Sequence, residues 1–386
     1  MNRREFLRGM MAAGGGAATF AALPPAARRA IAEARGAPAG MIVRNDWPEH
    51  WETSVEALGR SRLTANDRFF VRSHFPVPEI DPGAWRVEVA GARNPLTLNL
   101  AGLRKLPAHE EECVLECAGN GRAGYHLPST SGTQWGLGAV GNARWSGTRL
   151  ADVLAAAGVP PEVKHVWFEC ADRAPLDTTP RFLRSIPIEK AMKDALLVWT
   201  MNGAPLPTLH GGPLRVIVPG WFGMASAKWV TRIRLEAAPS DNHFMVRGYR
   251  YNYPGVDPAA TEPVEGVRIK SLITSPLDGA TVPAGKLVVR GFAWAGAEGV
   301  SSVMVREIGG PRGLPETWDA PLDATTTRFA WRAWEAAVTV ETGSEMDLSA
   351  IAVDSADQSQ PQPLAKANGG GYGNNSAHRI RVHVRA

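Results

Sequence analysis

The stretch Glu116-Cys117-Ala118-Gly119-Asn120-Gly121-Arg122 carries the densest chemistry in the chain. A cysteine leaves an apolar segment, enters a glycine-rich turn and is followed five residues later by an arginine. Glycines allow the backbone to approach a bulky ligand closely, and a nearby cation favours the thiolate, the form that attacks or ligates. Taken alone, these residues leave two readings open: a reactive or metal-bound cysteine, or a turn that carries a buried thiol. A lone cysteine does not name a metal. The chain has three cysteines, Cys113, Cys117 and Cys170. None forms the Cys-x-x-Cys-His of covalent haem or the paired Cys-x-x-Cys of zinc and iron–sulfur sites. No haem is therefore expected in this chain, and the electron acceptor is expected to be a separate molecule. Cys170 reads as a small buried apolar residue, and Cys113 shares the face of Cys117 if the strand between them is regular.

Elements to position this loop are legible in the periodicity. Glu111 to Glu116 reads as a strand that delivers Cys117 at its end, and Phe69 to Arg72 as a short strand ended by a proline-punctuated loop. Trp85 to Val89, Val163 to Cys170 and Leu214 to Val218 read as strands, and Leu96 to Leu106 as a strand leading into a short helix. Leu150 to Ala157 is predicted to be a helix stopped by Gly158, and Asn202-Gly203 to turn a hairpin. Asp46 to Arg62 reads as an extended lead-in. From about Val264 the texture shifts to short alternating strands separated by turn clusters, roughly seven in ~120 residues, which suggests an immunoglobulin-like sandwich. Tyr251 to Glu265 is the expected linker.

The 386 residues suggest about two domains. The net charge of +4 owes part of its value to arginines in the first 35 residues, so bulk charge makes no case for nucleic acid. Arg3-Arg4 before Phe6-Leu7, followed by a Gly/Ala-rich run from Gly9 to Leu23, resembles a twin-arginine export signal, with cleavage expected near Ala34. That route carries folded proteins, commonly around an inserted cofactor. No other stretch reaches the ~18 apolar residues of a membrane span. A periplasmic protein without a membrane span is expected.

Several segments, in order, resemble the sulfite oxidase family of molybdenum enzymes. Phe70-Val71-Arg72-Ser73-His74 is similar to its cofactor-contacting strand, with Ser73 where asparagine is commoner, and Cys117 to Arg122 to its cysteine loop. Trp135 with Ala143-Arg144-Trp145-Ser146-Gly147 is similar to the following substrate-side loop, and Ser185-Ile186-Pro187-Ile188 to its next landmark. Met201-Asn202-Gly203, His210-Gly211-Gly212-Pro213-Leu214-Arg215, Val218-Pro219-Gly220 and Lys228-Trp229 complete the set. The resemblance runs from about residue 65 to 255 and more weakly beyond.

It implies an α+β protein: a twin-arginine signal peptide over 1–34, a mixed α/β, sulfite-oxidase-like molybdopterin domain over 40–262, and an all-β, immunoglobulin-like dimerisation domain over 263–386. Cys117 is implied as the protein's ligand to one molybdenum per chain. Phe70, Val71, Arg72, Ser73, His74, Asp172, His210, Arg215, Ser226, Ala227 and Lys228 are implied to hold the molybdopterin; Asp177 competes with Asp172. Arg72, Arg122 and Tyr249 are implied to act on the substrate, with Trp135 as a wall. Many relatives supply a further arginine from the C-terminal domain, and here Gly369-Gly370-Gly371-Tyr372-Gly373 stands in its place. The implied reaction, of the bacterial periplasmic sulfite dehydrogenase type, is oxidation of sulfite to sulfate by a homodimer, with electrons passed to a c-type cytochrome. A reductase of sulfoxides or related oxo-compounds is the alternative within the cofactor class. A periplasmic anion-binding or adhesion protein with a buried thiol is the alternative outside it.

Overall fold

The computed structural model describes residues 38–125, 130–257, 260–309, 315–324, 327–343, 345–362 and 364–385. The export-signal reading of the N-terminus lies outside them. Among the described residues the fold is mostly β and its helices are short. The longest of these, Leu150–Ala157, has eight residues and buries Leu150, Val153, Leu154 and Ala157, the i, i+3, i+4, i+7 stripe of an amphipathic helix. It ends at Gly158, whose φ of 76° is open to glycine at little cost. The helical share is thus smaller than a mixed α/β domain suggests, because glycines and prolines punctuate the segments between strands.

Three sheets build the first part of the chain. A small sheet orders Met41–Asn45, His50–Thr53 and Val71–Arg72. A five-stranded antiparallel sheet runs Ala204–Pro205, Leu196–Met201, Val140–Arg149, Ala108–Glu116, with Arg215–Ile217 also paired to Leu196–Met201. A second five-stranded sheet runs Leu96–Asn99, Arg86–Ala90, Val230–Glu236, His165–Cys170, Leu183–Pro187. From Lys270 onward the strands pair among themselves. One sheet holds Lys270–Ser275, Gly285–Trp294 and Arg332–Val340; the other holds Ala280–Pro283, His378–Arg385, Glu345–Asp354, Val300–Ile308 and Thr317–Asp319. Leu272, Phe292, Trp294 and Trp331 join the main core of the first part, whereas Val305, Val338 and Val382 belong to a second core between the C-terminal sheets.

Two readings are corrected here. Asp46 to Arg62 is not an extended lead-in throughout: it contains the strand His50–Thr53 and a short helix Val55–Leu58, whose Ser54 hydroxyl caps the Ala57 amide at 3.2 Å. Ala143 to Gly147 is not a loop but the middle of strand Val140–Arg149. Its first four residues and Trp145, Gly147 and Thr148 are buried, so side chains on both faces are covered over much of its length and its sequence shows little alternation. Gly147 is required there by close approach, since a Cβ would meet the Leu197 carbonyl oxygen at 1.9 Å.

Candidate functional site

Strand Ala108–Glu116 pairs along its length with Val140–Arg149, which fixes where its last residue ends. The next residue, Cys117, is half-buried, and its amide donates to the Ala139 carbonyl at 2.9 Å. The chain then turns: the Asn120 amide donates to the Cys117 carbonyl at 2.9 Å and the Gly121 amide to the Gly136 carbonyl at 2.6 Å, with Gly121 at φ 82°. A Cβ at Gly119 would lie 2.6 Å from the Arg122 guanidinium, so a side chain there would displace that guanidinium.

Cys117 faces a cavity enclosing about 710 Å³ of atom-free space, part of it open to solvent. One wall carries Phe70, Arg72, Ser73 and His74; others carry Asp172, His210, Arg215, Ser226, Ala227, Lys228 and Tyr249. Asp172 rather than the exposed Asp177 lines the space. At one end the cations accumulate without carboxylates in contact. Arg215 is buried, and it donates to the carbonyls of His210 at 2.6 Å and Ser226 at 2.9 Å. Burial pushes its guanidinium down to about 9. The Lys228 ammonium donates to the Ser73 hydroxyl at 2.7 Å and the Leu209 carbonyl at 3.1 Å, both neutral. Burial, and then the Arg215 charge, push it down to about 7. The Asp172 carboxyl is pushed up by burial, and its Oδ1 has no partner.

On the other side, the Tyr249 hydroxyl shares a 2.8 Å hydrogen bond with His74 Nε2. Burial raises the phenol to about 12 and holds His74 well below the usual imidazole range, so both groups are neutral. Arg72 lies within the electrostatic reach of both, and its Nη1 is buried without a partner. Three implied residues do not line the cavity. Val71 points to the opposite face of its strand, into a cluster with Val43 and Trp51. Trp135 is buried 5.8 Å from the His50 ring. Arg122 is buried with its guanidinium on the carbonyls of Thr133 and Gly370.

Sequence reasoning missed apolar lining residues, among them Phe69, Phe182, Leu209, Met224 and Trp229, because an apolar side chain carries no chemical signal. It also gave His50 no role. His50 is buried and fixes the cofactor-side strand through Ser73 O at 2.8 Å and Thr133 Oγ1 at 2.7 Å. Arg184, behind Tyr249, was likewise unmarked; it sits beside the Ser185-Ile186-Pro187 landmark.

The donor set suits a molybdopterin. Among the described residues no group of three or more His, Cys, Asp or Glu could hold a metal, so a metal at Cys117 needs most of its ligands from a cofactor. Buried cations without carboxylate contact suit a phosphate, and the free oxygen of Asp172 suits pterin amino groups.

Comparison with known proteins agrees with this geometry. Residues 74–244 match the oxidoreductase molybdopterin binding domain, and 262–385 the Mo-co oxidoreductase dimerisation domain. Mitochondrial sulfite oxidase of Rattus norvegicus is 36% identical over 362 residues, covering 89% of this chain and 65% of the rat protein. Sulfite oxidase of Arabidopsis thaliana is 31% identical over 364 residues, covering 87% of this chain and 92% of the plant protein. The crystal structure of the sulfane dehydrogenase SoxCD from Paracoccus pantotrophus superposes with a TM-score of 0.75 at 27% identity, covering 88% of this chain and 87% of that one. A cysteine presented to a cation-lined cavity and relatives matched along nearly the whole chain lead to one conclusion: the chain belongs to the sulfite oxidase family of molybdenum enzymes.

Proposed function

We propose that the protein oxidises sulfite to sulfate at a molybdopterin-bound molybdenum held by Cys117, and passes the electrons to a separate c-type cytochrome. The observation that carries this is the single half-buried thiol opening on a cavity whose buried cations lack carboxylate contacts. Overall, one sulfite and one water give one sulfate, two protons and two electrons. Bound there, the cofactor supplies two-electron oxygen-atom transfer. Arg215 and Lys228 would hold its phosphate, and Asp172 its pterin. Ser73, locked to Lys228, and His210, locked to the Asn66 carbonyl at 2.8 Å, would fix the orientation of those contacts.

The remaining residues act on the substrate. Arg72 brings a permanent charge with an open N–H and would bind the anion. Tyr249 stays protonated across the working pH range, so its hydroxyl can donate to substrate oxygen while His74 sets its direction. Trp135 and Arg122 would support this side from behind, Arg122 by its bonds to the loop carbonyls. Export through a twin-arginine signal, an immunoglobulin-like C-terminal sandwich and dimerisation through it complete the reading; the match of 262–385 to a dimerisation domain supports the last. The sulfane dehydrogenase relative favours a second reading, in which another reduced sulfur compound is the natural substrate.

The test is molybdenum content of the purified protein together with sulfite-dependent reduction of cytochrome c or ferricyanide. About one molybdenum per chain with turnover is expected, and Cys117→Ser should lower turnover by ~10²-fold or more, since no other thiol lines the cavity. Full activity in that variant would remove the central claim. Molybdenum without sulfite turnover would shift the reading to other sulfur substrates, tested with sulfane and sulfoxide compounds.

A further inference from the structure

One loop of the C-terminal part of the chain packs against the cysteine turn and Tyr249. Asn368 ties this loop to itself: its side chain donates to the Tyr372 carbonyl at 2.8 Å and accepts from the Tyr372 amide at 3.1 Å. The loop then clamps the cysteine turn. The Gly373 amide donates to the Ala118 carbonyl at 2.8 Å, Asn374 Nδ2 donates to the Gly121 carbonyl at 2.8 Å, and Arg122 Nε donates to the Gly370 carbonyl at 3.0 Å. This approach is possible only for glycine at Gly371: its φ is 58°, and a Cβ would meet the Arg122 side chain at 2.7 Å.

The clamp delivers one side chain. Tyr372 stacks on Tyr249 with ring centroids 5.2 Å apart and planes at 27°. The Arg122 guanidinium carbon lies 5.4 Å from the Tyr372 ring centroid, and that of Arg184 lies 5.4 Å from the Tyr249 ring centroid. Two buried arginines of the first part of the chain thus flank a pair of tyrosines, one from each part. Such contacts attract because the faces of aromatic rings are electron-rich, and more so out of water. Tyr249 has reason to need them. Its φ is 54°, a left-handed backbone that bulky residues rarely adopt, and such a conformation persists only where the surroundings over-determine it. Arg184 is itself buried, donates to the Phe244 carbonyl and leaves Nε without a partner, so the Tyr249 ring is a main neighbour of its charge.

We infer that Tyr372 is a positioning residue, which holds the Tyr249 hydroxyl toward the substrate through an Arg184–Tyr249–Tyr372–Arg122 stack closed by the C-terminal loop. The C-terminal part then contributes an aromatic wedge beside Tyr249. What Tyr249 does rests on the sulfite-oxidising reading above; where Tyr249 sits does not.

The test compares Tyr372→Phe, which keeps the ring, with Tyr372→Leu, which removes it. In crystals of the Leu variant, Tyr249 is expected to leave His74; in the Phe variant it stays. In the molybdenum-loaded enzyme, Tyr372→Leu should raise KM for sulfite by about tenfold with kcat changed less than about threefold, and Tyr372→Phe should stay within about twofold of the parent. Molybdenum content should not change. Arg184→Met, at the other end of the stack, should give the same KM-weighted loss without touching the loop. A Leu variant with Tyr249 still on His74 and an unchanged KM overturns the inference. So does a Phe variant as impaired as Leu, or loss of molybdenum in the Leu variant, which would make the loop a cofactor clamp only. If the parent enzyme holds molybdenum but leaves sulfite untouched, the functional reading falls, while the crystallographic comparison still decides the stack.

Discussion

Lys270 and Lys228 are both drawn inward, and they are treated in opposite ways. Lys270, where the C-terminal strands begin, places its ammonium 2.5 Å from Glu116 Oε1. The same carboxylate accepts from Asn120 Nδ2 at 3.0 Å and, through Oε2, from Trp294 Nε1 at 2.9 Å. Every charge there is answered by the protein itself. Lys228 has a hydroxyl, a carbonyl and the face of Trp229 at 4.1 Å but no carboxylate in contact, beside the equally carboxylate-free Arg215, and burial drives it down to about 7. The first cluster joins the two parts of the fold immediately before Cys117. The second is incomplete as protein and becomes complete with an anion. A buried cation that the chain satisfies belongs to the fold, and one that it leaves to neutral groups is reserved for a ligand.

Breaking the satisfied cluster should have the largest effect on stability. Lys270→Met leaves Glu116 buried and uncompensated and should cost ~3–5 kcal/mol, read as a fall in the urea midpoint, whereas adding Glu116→Gln should restore most of it. Were the single and double variants equally stable, the pair would not be holding the parts together. At the reserved cluster the opposite is expected. Arg215→Met should lower molybdenum content by about tenfold or more, through loss of charge-assisted bonds to phosphate, while the cofactor-free protein unfolds no earlier than the parent.

The smallest effect, and the sharpest, is the pH dependence of Lys228. Its folded value, about 7, lies below the ~10.4 of a free lysine, so the unfolded chain binds more protons between those values. The cost of burying the charge is full below pH 7 and fades as pH rises toward 10. Cofactor-free protein should therefore gain stability from pH 7 toward about 8.5, with a slope of up to ~1.4 kcal/mol per pH unit, before the two sealed thiols, which ionise only in the unfolded chain, offset the rise. Lys228→Met should flatten the slope, and so should bound cofactor, which keeps the ammonium charged. A slope that survives Lys228→Met would assign it to other groups.

Most of this was legible in the sequence where polarity and spacing coincide. Cys117 stood out by type and setting, the resemblance implied Arg72, Asp172, His210, Arg215, Lys228 and Tyr249, and the structure gathers these seven around one cavity. The strand Arg86–Ala90, the hairpin at Asn202-Gly203 and the helix Leu150–Ala157 follow from period and turn chemistry. What escaped was of two kinds. Strands buried on both faces over much of their length, such as Val140–Arg149, have little alternation to read. Partnerships between distant segments were also invisible: nothing in the sequence links Glu116 to Lys270 or Tyr249 to Tyr372, because these pairs exist only once the two parts have docked.

The three thiols have an analytical consequence. Cys113 and Cys170 are sealed in the core with their thiols pushed far up by burial, so neither can form a thiolate at working pH. Cys117 alone is within reach of solvent. If Cys117 holds the metal as proposed, a native-state titration with a thiol reagent would count vacant sites directly, one equivalent for each chain that lacks its metal, and full denaturation would release the other two. Quality control of a preparation reduces to the ratio of those two numbers.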